Sequence, residues 1–195
     1  GMLELFALSD VFYNQGYCII DPHGDFAINN LRFVPESRIQ DVIYFNPADT
    51  AYPVAFNPLE ISDPSRKPNV CSEVIGVLKR MFGDSWGPRL EHILRHTILA
   101  LLDRPETTLL DISRLLTDKD FRKETLDYCT DVTVLQFWKH EFGQWNEKQV
   151  NESSAPVLNK GGAFTANPII RNIIGQSKSS FDVRKIMDEG KILVV

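Results

Sequence analysis

The chain has 195 residues, 43% of them apolar and 24% charged, with a formal net charge of −5. That balance fits one globular domain, or one domain carrying an insertion, and excludes fibrous and intrinsically disordered classes. No apolar run approaches the ~18 residues of a membrane-spanning helix. Gly1-Met2-Leu3-Glu4 has neither the basic start nor the apolar stretch of a secretion signal. Gly1 is expected to be a remnant of tag removal, with Met2 the start of the sampled gene. Cys18, Cys71 and Cys129 are odd in number and far apart, which fits free thiols in a reducing cytoplasm and gives no metal-ligand spacing.

Charge is uneven along the chain. Residues 1–63 carry nine acids and two bases, residues 64–150 thirteen of each, and residues 151–195 four acids and six bases. A uniformly basic surface for nucleic acid is therefore absent. A local anion-facing patch is expected between Lys160 and Lys185, where five bases face Asp182 alone.

In chain order, apolar residues at 3, 5, 6, 8 and 11 predict a short helix that starts with no capping residue. Tyr17-Cys18-Ile19-Ile20 is a continuous apolar run, predicting a strand buried on both faces. Asp21-Pro22-His23-Gly24-Asp25 breaks it. A short helix from Phe26 to Phe33 leads to a second strand, Val42–Phe45. This alternation reads as parallel α/β layering.

Five prolines between Pro47 and Pro68 mark a loop. Val70, Val74, Val77, Leu78, Met81 and Phe82 then share a helical face that Gly83 ends. Pro88 opens the next helix, whose stripe runs from Leu90 to Leu102. Further helices are expected near Thr108–Leu116, Asp120–Tyr128, Val132–Phe142, Glu147–Leu158 (disturbed by Pro156), Pro168–Ile174 and Phe181–Met187, the last capped by Ser180. Lys191–Val195 is again a buried-strand run, and the chain stops inside it. Both ends of the domain are expected to be cut.

The segment richest in chemistry is Asp21-Pro22-His23-Gly24-Asp25, at the carboxyl end of a predicted parallel strand, where open α/β sheets hold their ligands. Its two carboxylates and imidazole can hold a metal or orient a water. They can equally form an Asx-type turn in which Asp21 caps the adjoining loop. A two-metal phosphoesterase fails on ligand supply, since His92, His96 and His140 all fall in helical segments. His92 and His96 lie four apart with Glu91 beside them but without a third ligand, and the plainer reading is a polar outer helix face. Trp86-Gly87-Pro88-Arg89 is a turn into a helix, and Trp138, Trp145, Phe137 and Phe142 are expected in the core. Asn159-Lys160-Gly161-Gly162 reads as a flexible turn, and a P-loop pattern occurs nowhere in the chain.

Three segments occur in a telling order: Gly16-Tyr17-Cys18-Ile19-Ile20-Asp21-Pro22-His23-Gly24-Asp25, then Val42-Ile43-Tyr44-Phe45-Asn46-Pro47-Ala48-Asp49, then Phe56-Asn57-Pro58-Leu59-Glu60. They resemble the second and third strands of the RecA-like motor in conjugative coupling ATPases, the TraD-type proteins of type IV secretion related to the HerA and FtsK DNA translocases. Trp86–Glu91 and Asn167–Gln176 resemble the helical block inserted into such motors. The resemblance spans nearly the whole chain. It implies an α/β fold with a partial RecA-like parallel sheet and a large all-helical insertion: core at 1–66, helical domain at 67–189, and a strand returning at 190–195.

The resemblance also implies a ring-forming parent that moves DNA with ATP and Mg²⁺ at the cytoplasmic face of the inner membrane, among type IV secretion components. Asp21 and Asp25 would lie near the phosphates in a catalytic role, with His23 and Gly24 in the nucleotide-binding loop. Lys160, Arg171, Lys178 and Arg184 would contact DNA phosphates. The P-loop expected before the first helix is missing, and so is the acidic Mg²⁺-binding strand. Asp188-Glu189 does not replace it, because it precedes a strand. ATP turnover needs those parts together, so the chain is expected to be an inactive internal piece that holds no ATP, Mg²⁺ or other metal by itself. Two alternatives stay open: a non-enzymatic helical adaptor that binds a protein partner, and a metal-dependent hydrolase built on Asp21, His23 and Asp25.

Overall fold

The computed structural model describes residues 1–195, apart from the side chains of residues 163 and 164. The architecture is mixed α/β with most of the chain helical. Two compact units divide it: a sheet unit, Gly1–Val54 with Ser179–Val195, and a helical unit, Ala55–Lys178. The chain thus passes between units at 54/55 and 178/179, where the sequence suggested 66/67 and 189/190.

In the sheet unit, α1 (Met2–Phe12), β1 (Tyr17–Ile19), α2 (Asp25–Leu31) and β2 (Val42–Tyr44) are followed, after the helical unit, by α10 (Val183–Asp188) and β3 (Ile192–Val194). The three strands form one parallel sheet in the order β1-β3-β2. The last strand lies between the first two, with Leu193 opposite both Cys18 and Ile43. All of β3 is buried, as its wholly apolar Ile-Leu-Val composition suits a central parallel strand. Val11 of α1 and Ala27 of α2 pack with Ile192 and Val194, flanked by Tyr17, Leu31, Val34 and Val42.

β1 departs from expectation. Cys18 is exposed and Ile20 is 73% exposed, whereas Ile19 between them is buried, so only one face of this strand is covered. α10 also starts later than expected. Its cap is Asp182, which accepts from the backbone N–H of Arg184 and Lys185, in place of Ser180.

A buried arginine joins the starts of the three strands. A 3₁₀ turn at Glu36–Asp41 places Arg38, whose Nη1 donates to the Gln15 carbonyl at 2.8 Å and Nη2 to the Gly190 carbonyl at 2.7 Å. Its Nε donates to Asp41 at 3.0 Å. Asp41 directly precedes β2, and Gln15 and Gly190 lie two residues before β1 and β3, so one guanidinium fork serves all three strand starts. Gly16 permits the approach, since a Cβ there would lie 2.5 Å from the Gly190 carbonyl carbon.

The helical unit holds α3 (Lys67–Phe82), α4 (Pro88–Asp103), α5 (Asp111–Thr117), α6 (Lys119–Tyr128), α7 (Val132–Gln136), α8 (Glu147–Ala166) and α9 (Pro168–Ile174). α4 is its centre: Ile93, Ile98, Ala100 and Leu101 are fully buried, as the unbroken stripe in its sequence requires. Short polar side chains start the helices around it. Asp118 caps α6, Asp131 caps α7, Asn146 and Gln149 form a capping box on α8, and Asn167 caps α9.

Two helical expectations change. The helix expected over Val132–Phe142 is interrupted by a π turn at Phe137–Glu141 and a 3₁₀ turn at Phe142–Gln144. A wider π turn brings residues five apart onto one side, and Phe137 and Phe142 are both buried there with Trp138. α8 runs through the exposed Pro156 to Ala166, so Asn159-Lys160-Gly161-Gly162 is helical, not a turn. Gly161 has a packing role: a Cβ would sit 3.2 Å from Ser113 Oγ on α5.

The two ends of the helical unit are tied together. Phe56 N–H donates to the Ile173 carbonyl at 3.1 Å. The buried Asn57 amide donates to the carbonyls of Thr107 and Ser177, each at 2.9 Å, and its oxygen accepts from Leu59 N–H at 3.0 Å. Among the described residues, no helix is long and apolar enough to cross a membrane.

Candidate functional site

Parallel strands that end together form an edge where the loops after them converge, and such edges hold ligands in open α/β sheets. Here the ladder extends just past the strands. Asp21 N–H donates to the Val195 carbonyl at 2.9 Å, Val195 N–H to Ile19 at 2.8 Å, and Phe45 N–H to Val194 at 2.7 Å. The Asp21–Asp25 loop after β1 and the Asn46–Tyr52 loop after β2 therefore leave from the same edge.

The Asp21 carboxylate faces its own backbone. One oxygen accepts from His23 N–H at 3.1 Å, and the other from Phe26 at 2.8 Å and Ala27 at 3.1 Å, in the first turn of α2. Gly24 makes this return possible at φ 83°, a left-handed conformation open to glycine. Desolvation is the largest single influence on the Asp21 carboxyl and raises its pKa. The N–H donors of Ala27, His23 and Phe26, with the charge of His23, together outweigh it and hold the carboxyl below its ordinary value. Asp21 thus acts as a cap, and it occupies the backbone donors that a phosphate would otherwise use.

Of the remaining loop residues, His23 and Asp25 are exposed, and Asp25 sits in the first turn of α2, where a carboxylate suits the helix dipole. The neighbouring loop is closed by similar turns: Asn46 accepts from Ala48 N–H, and Asp49 from Ala51 and Tyr52, each at 3.0 Å. Among the described residues, no group of three or more His, Cys, Asp or Glu side chains is arranged to hold a metal ion.

The four cations named for nucleic acid are divided between the two units. Lys160, Arg171 and Lys178 belong to the helical unit and Arg184 to the sheet unit. Lys160 Nζ lies 5.8 Å from the centre of the Phe82 ring, and Arg171 donates to the Thr165 carbonyl at 3.3 Å. Lys178 pairs with Glu60 at 3.5 Å and Arg184 with Asp188 at 3.5 Å.

A second concave region, about 840 Å³, lies within the helical unit between the end of α3 and the start of α4, lined by Lys79, Asp84, Trp86, Glu91, His92 and Arg95 among others. Glu91 organises it, accepting from Trp86 Nε1 at 2.8 Å and from Arg95 at 3.2 Å, with Lys79 at 3.8 Å. The bonds from Trp86 and Arg95, with the charges of Lys79 and Arg95, hold the Glu91 carboxyl below its ordinary value against the opposing effect of burial. The cleft's cations are thus largely answered from inside. At its margin the outer-face reading of the two histidines fails for one of them. His92 is exposed, but His96 is only 8% exposed.

The structurally decisive polar residues that the sequence did not disclose are Arg38, Asn57 and His96. Asn57 stood in one of the segments that carry the resemblance, but an Asn-Pro pair reads locally as a turn. Arg38 shows only an i,i+3 pairing with Asp41 in sequence. Its two carbonyl partners are remote.

No family model, curated protein or solved structure matches the chain.

Proposed function

We propose that the chain is part of an ATP-driven DNA translocase of the conjugative coupling type, and that it hydrolyses no ATP by itself. One arrangement carries this reading. A parallel sheet places the Asp21–Asp25 loop at its carboxyl edge, and its central strand returns only after a helical unit inserted between β2 and β3. That is the layout expected of a partial RecA-like core with a helical insertion. In this reading Asp21 shapes the loop, while the exposed His23 and Asp25 beside Gly24 face the nucleotide. The missing P-loop sequence removes the lysine and the Mg²⁺ ligand on which turnover rests.

The helical unit supplies the DNA contacts through Lys160, Arg171 and Lys178, with Arg184 on the sheet unit. The ion pairs of Lys178 with Glu60 and Arg184 with Asp188 are no barrier, since surface ion pairs contribute about 0–1 kcal/mol and yield to a phosphate. The test is fluorescence anisotropy with labelled DNA from low to moderate salt, beside an ATPase assay. Binding should fall steeply with salt, and each Ala substitution at 160, 171 or 178 should reduce the slope by about one. Salt-independent binding, or none at low salt, removes the DNA assignment.

One observation favours a second reading, a helical adaptor for a protein partner. The helical unit, residues 55–178, holds sixteen acids and sixteen bases, so it presents no net positive charge to a polyanion. Absence of DNA binding, with the fold intact, would select this reading.

A further inference from the structure

Two imidazoles meet the π turn where α4 crosses it. His92 and His96, one helical turn apart, have ring centroids 4.5 Å apart. His96 stacks on Phe137 at 4.3 Å with the planes 19° apart, and His92 meets the same ring edge-on at 5.1 Å. His92 Nε2 lies 3.0 Å from Glu141 Oε2, at the last residue of the π turn. His96 Nδ1 lies 2.8 Å from the His92 carbonyl, and Trp138 Nε1 donates to the His96 carbonyl at 3.3 Å.

The two rings sit in different surroundings. The exposed His92 faces Glu141. His96 gains nothing from a second proton: a carbonyl only accepts, so Nδ1 already carries a hydrogen, and that proton would put a charge on a buried ring. The charged groups around it offer little relief. On α4 these are Glu91, bound by Trp86 and Arg95, and Arg95 itself. Lys79 of α3 and Asp84 of the turn before α4 line the cleft with His92, and Glu141 of the π turn is already opposite His92. Lys139 and His140 of the π turn are exposed, and Arg122 of α6 lies over Trp138 and Phe142 at 6.0 and 5.1 Å.

We propose that this contact is a pH-gated latch, closed while His96 is neutral and opened by its protonation, which frees the π turn from α4 and uncovers Phe137 and Trp138. π turns are rare and often mark functional segments, which suits the part that must move. Burial is the largest influence on His96 and lowers its pKa below the ordinary 6.5. The hydrogen bond to His92 opposes this, the charge of His92 adds to it, Glu141 opposes it and Arg95 adds to it. The latch lies wholly in the helical unit and stands whether or not the chain belongs to a DNA motor.

The protein reports on the latch itself, because Trp86, Trp138 and Trp145 are its three tryptophans and all lie in the helical unit. Tryptophan emission and near- and far-UV circular dichroism are followed from about pH 8 to about pH 5, the range in which histidines titrate. The expected result is a reversible red shift with its midpoint below 6.5, loss of near-UV signal and unchanged far-UV helicity. His96→Gln should abolish the transition, and Glu141→Gln, which removes a charge that raises the His96 pKa, should move it to lower pH. A flat response, a transition unaltered in His96→Gln, or loss of helicity in step with the red shift overturns the latch. Should His96→Gln fail to fold, NMR of the unaltered protein decides. Protonation of His96 must coincide with a shift of the Trp138 indole resonance, and titration without that shift overturns the proposal.

Discussion

Replacing Arg38 with Leu tests the idea that one side chain holds the sheet together. The change deletes charge-assisted bonds to Gln15, Gly190 and Asp41 at 2.8, 2.7 and 3.0 Å. Bonds to charged groups contribute about 1.5–3 kcal/mol each, but three corrections apply. The Gln15 carbonyl lies in an exposed loop and regains water. The Asp41 side chain is 39% exposed, so that pair is screened and adds little. Removing the guanidinium also removes its desolvation cost. About 3 kcal/mol remains, most of it from the Gly190 contact and the lost guanidinium packing. At about 0.05–0.15 kcal/mol per residue, the roughly 70 residues of the sheet unit hold about 4–10 kcal/mol in total, so the loss is large. Hydrogen exchange is the assay, because it reads the units separately. The amides of 17–19, 42–44 and 192–194 should lose about 100-fold in protection, at about 1.4 kcal/mol per decade, while those of α4 stay unchanged. Strand protection within about threefold of the unaltered protein would refute the clamp, and equal loss in α4 would refute the independence of the units.

Asn57→Ala should destabilise the helical unit by about 3 kcal/mol, since each buried group stripped of its partner costs about 1–3 kcal/mol and Asn57 serves Thr107, Ser177 and Leu59. Urea unfolding monitored by tryptophan emission measures it, and a loss under about 1 kcal/mol would show that the ends are held otherwise. Asp21→Ala should speed exchange at the Phe26 and Ala27 amides, with a definite pH dependence. Because the folded carboxyl lies below its ordinary 3.8, its contribution is complete above that value and disappears as pH falls through the depressed one. The variant and the unaltered protein should therefore differ at neutral pH and converge in acid, and identical exchange at neutral pH would contradict the cap.

Some of this protein is fixed locally and could be read without coordinates. The stripe from Leu90 to Leu102, the Pro88 start of α4, the strand compositions at 17–20 and 191–195, and the breaker Asp21-Pro22-His23-Gly24 all act within a few residues. Helix periodicity, turn chemistry and β-branching work at that range. The Asx-turn reading of Asp21 was legible for the same reason, because its acceptors serve donors only two to six residues ahead.

The tertiary structure decided the features that depend on groups meeting across long stretches of chain. β3 could occupy an edge or the centre with the same sequence, and its central place is set by which neighbours bury Ile192 and Val194. The exposure of Cys18 and Ile20 follows from which face of β1 the rest of the sheet unit covers. Arg38 meets Gly190, Asn57 meets Ser177 and His96 meets Phe137 only after closure. The π turn, likewise, forms because Phe137, Trp138 and Phe142 must share one buried side. Local pattern sets which segments become helix or strand, whereas burial of apolar surface and satisfaction of distant polar groups select how those segments pair.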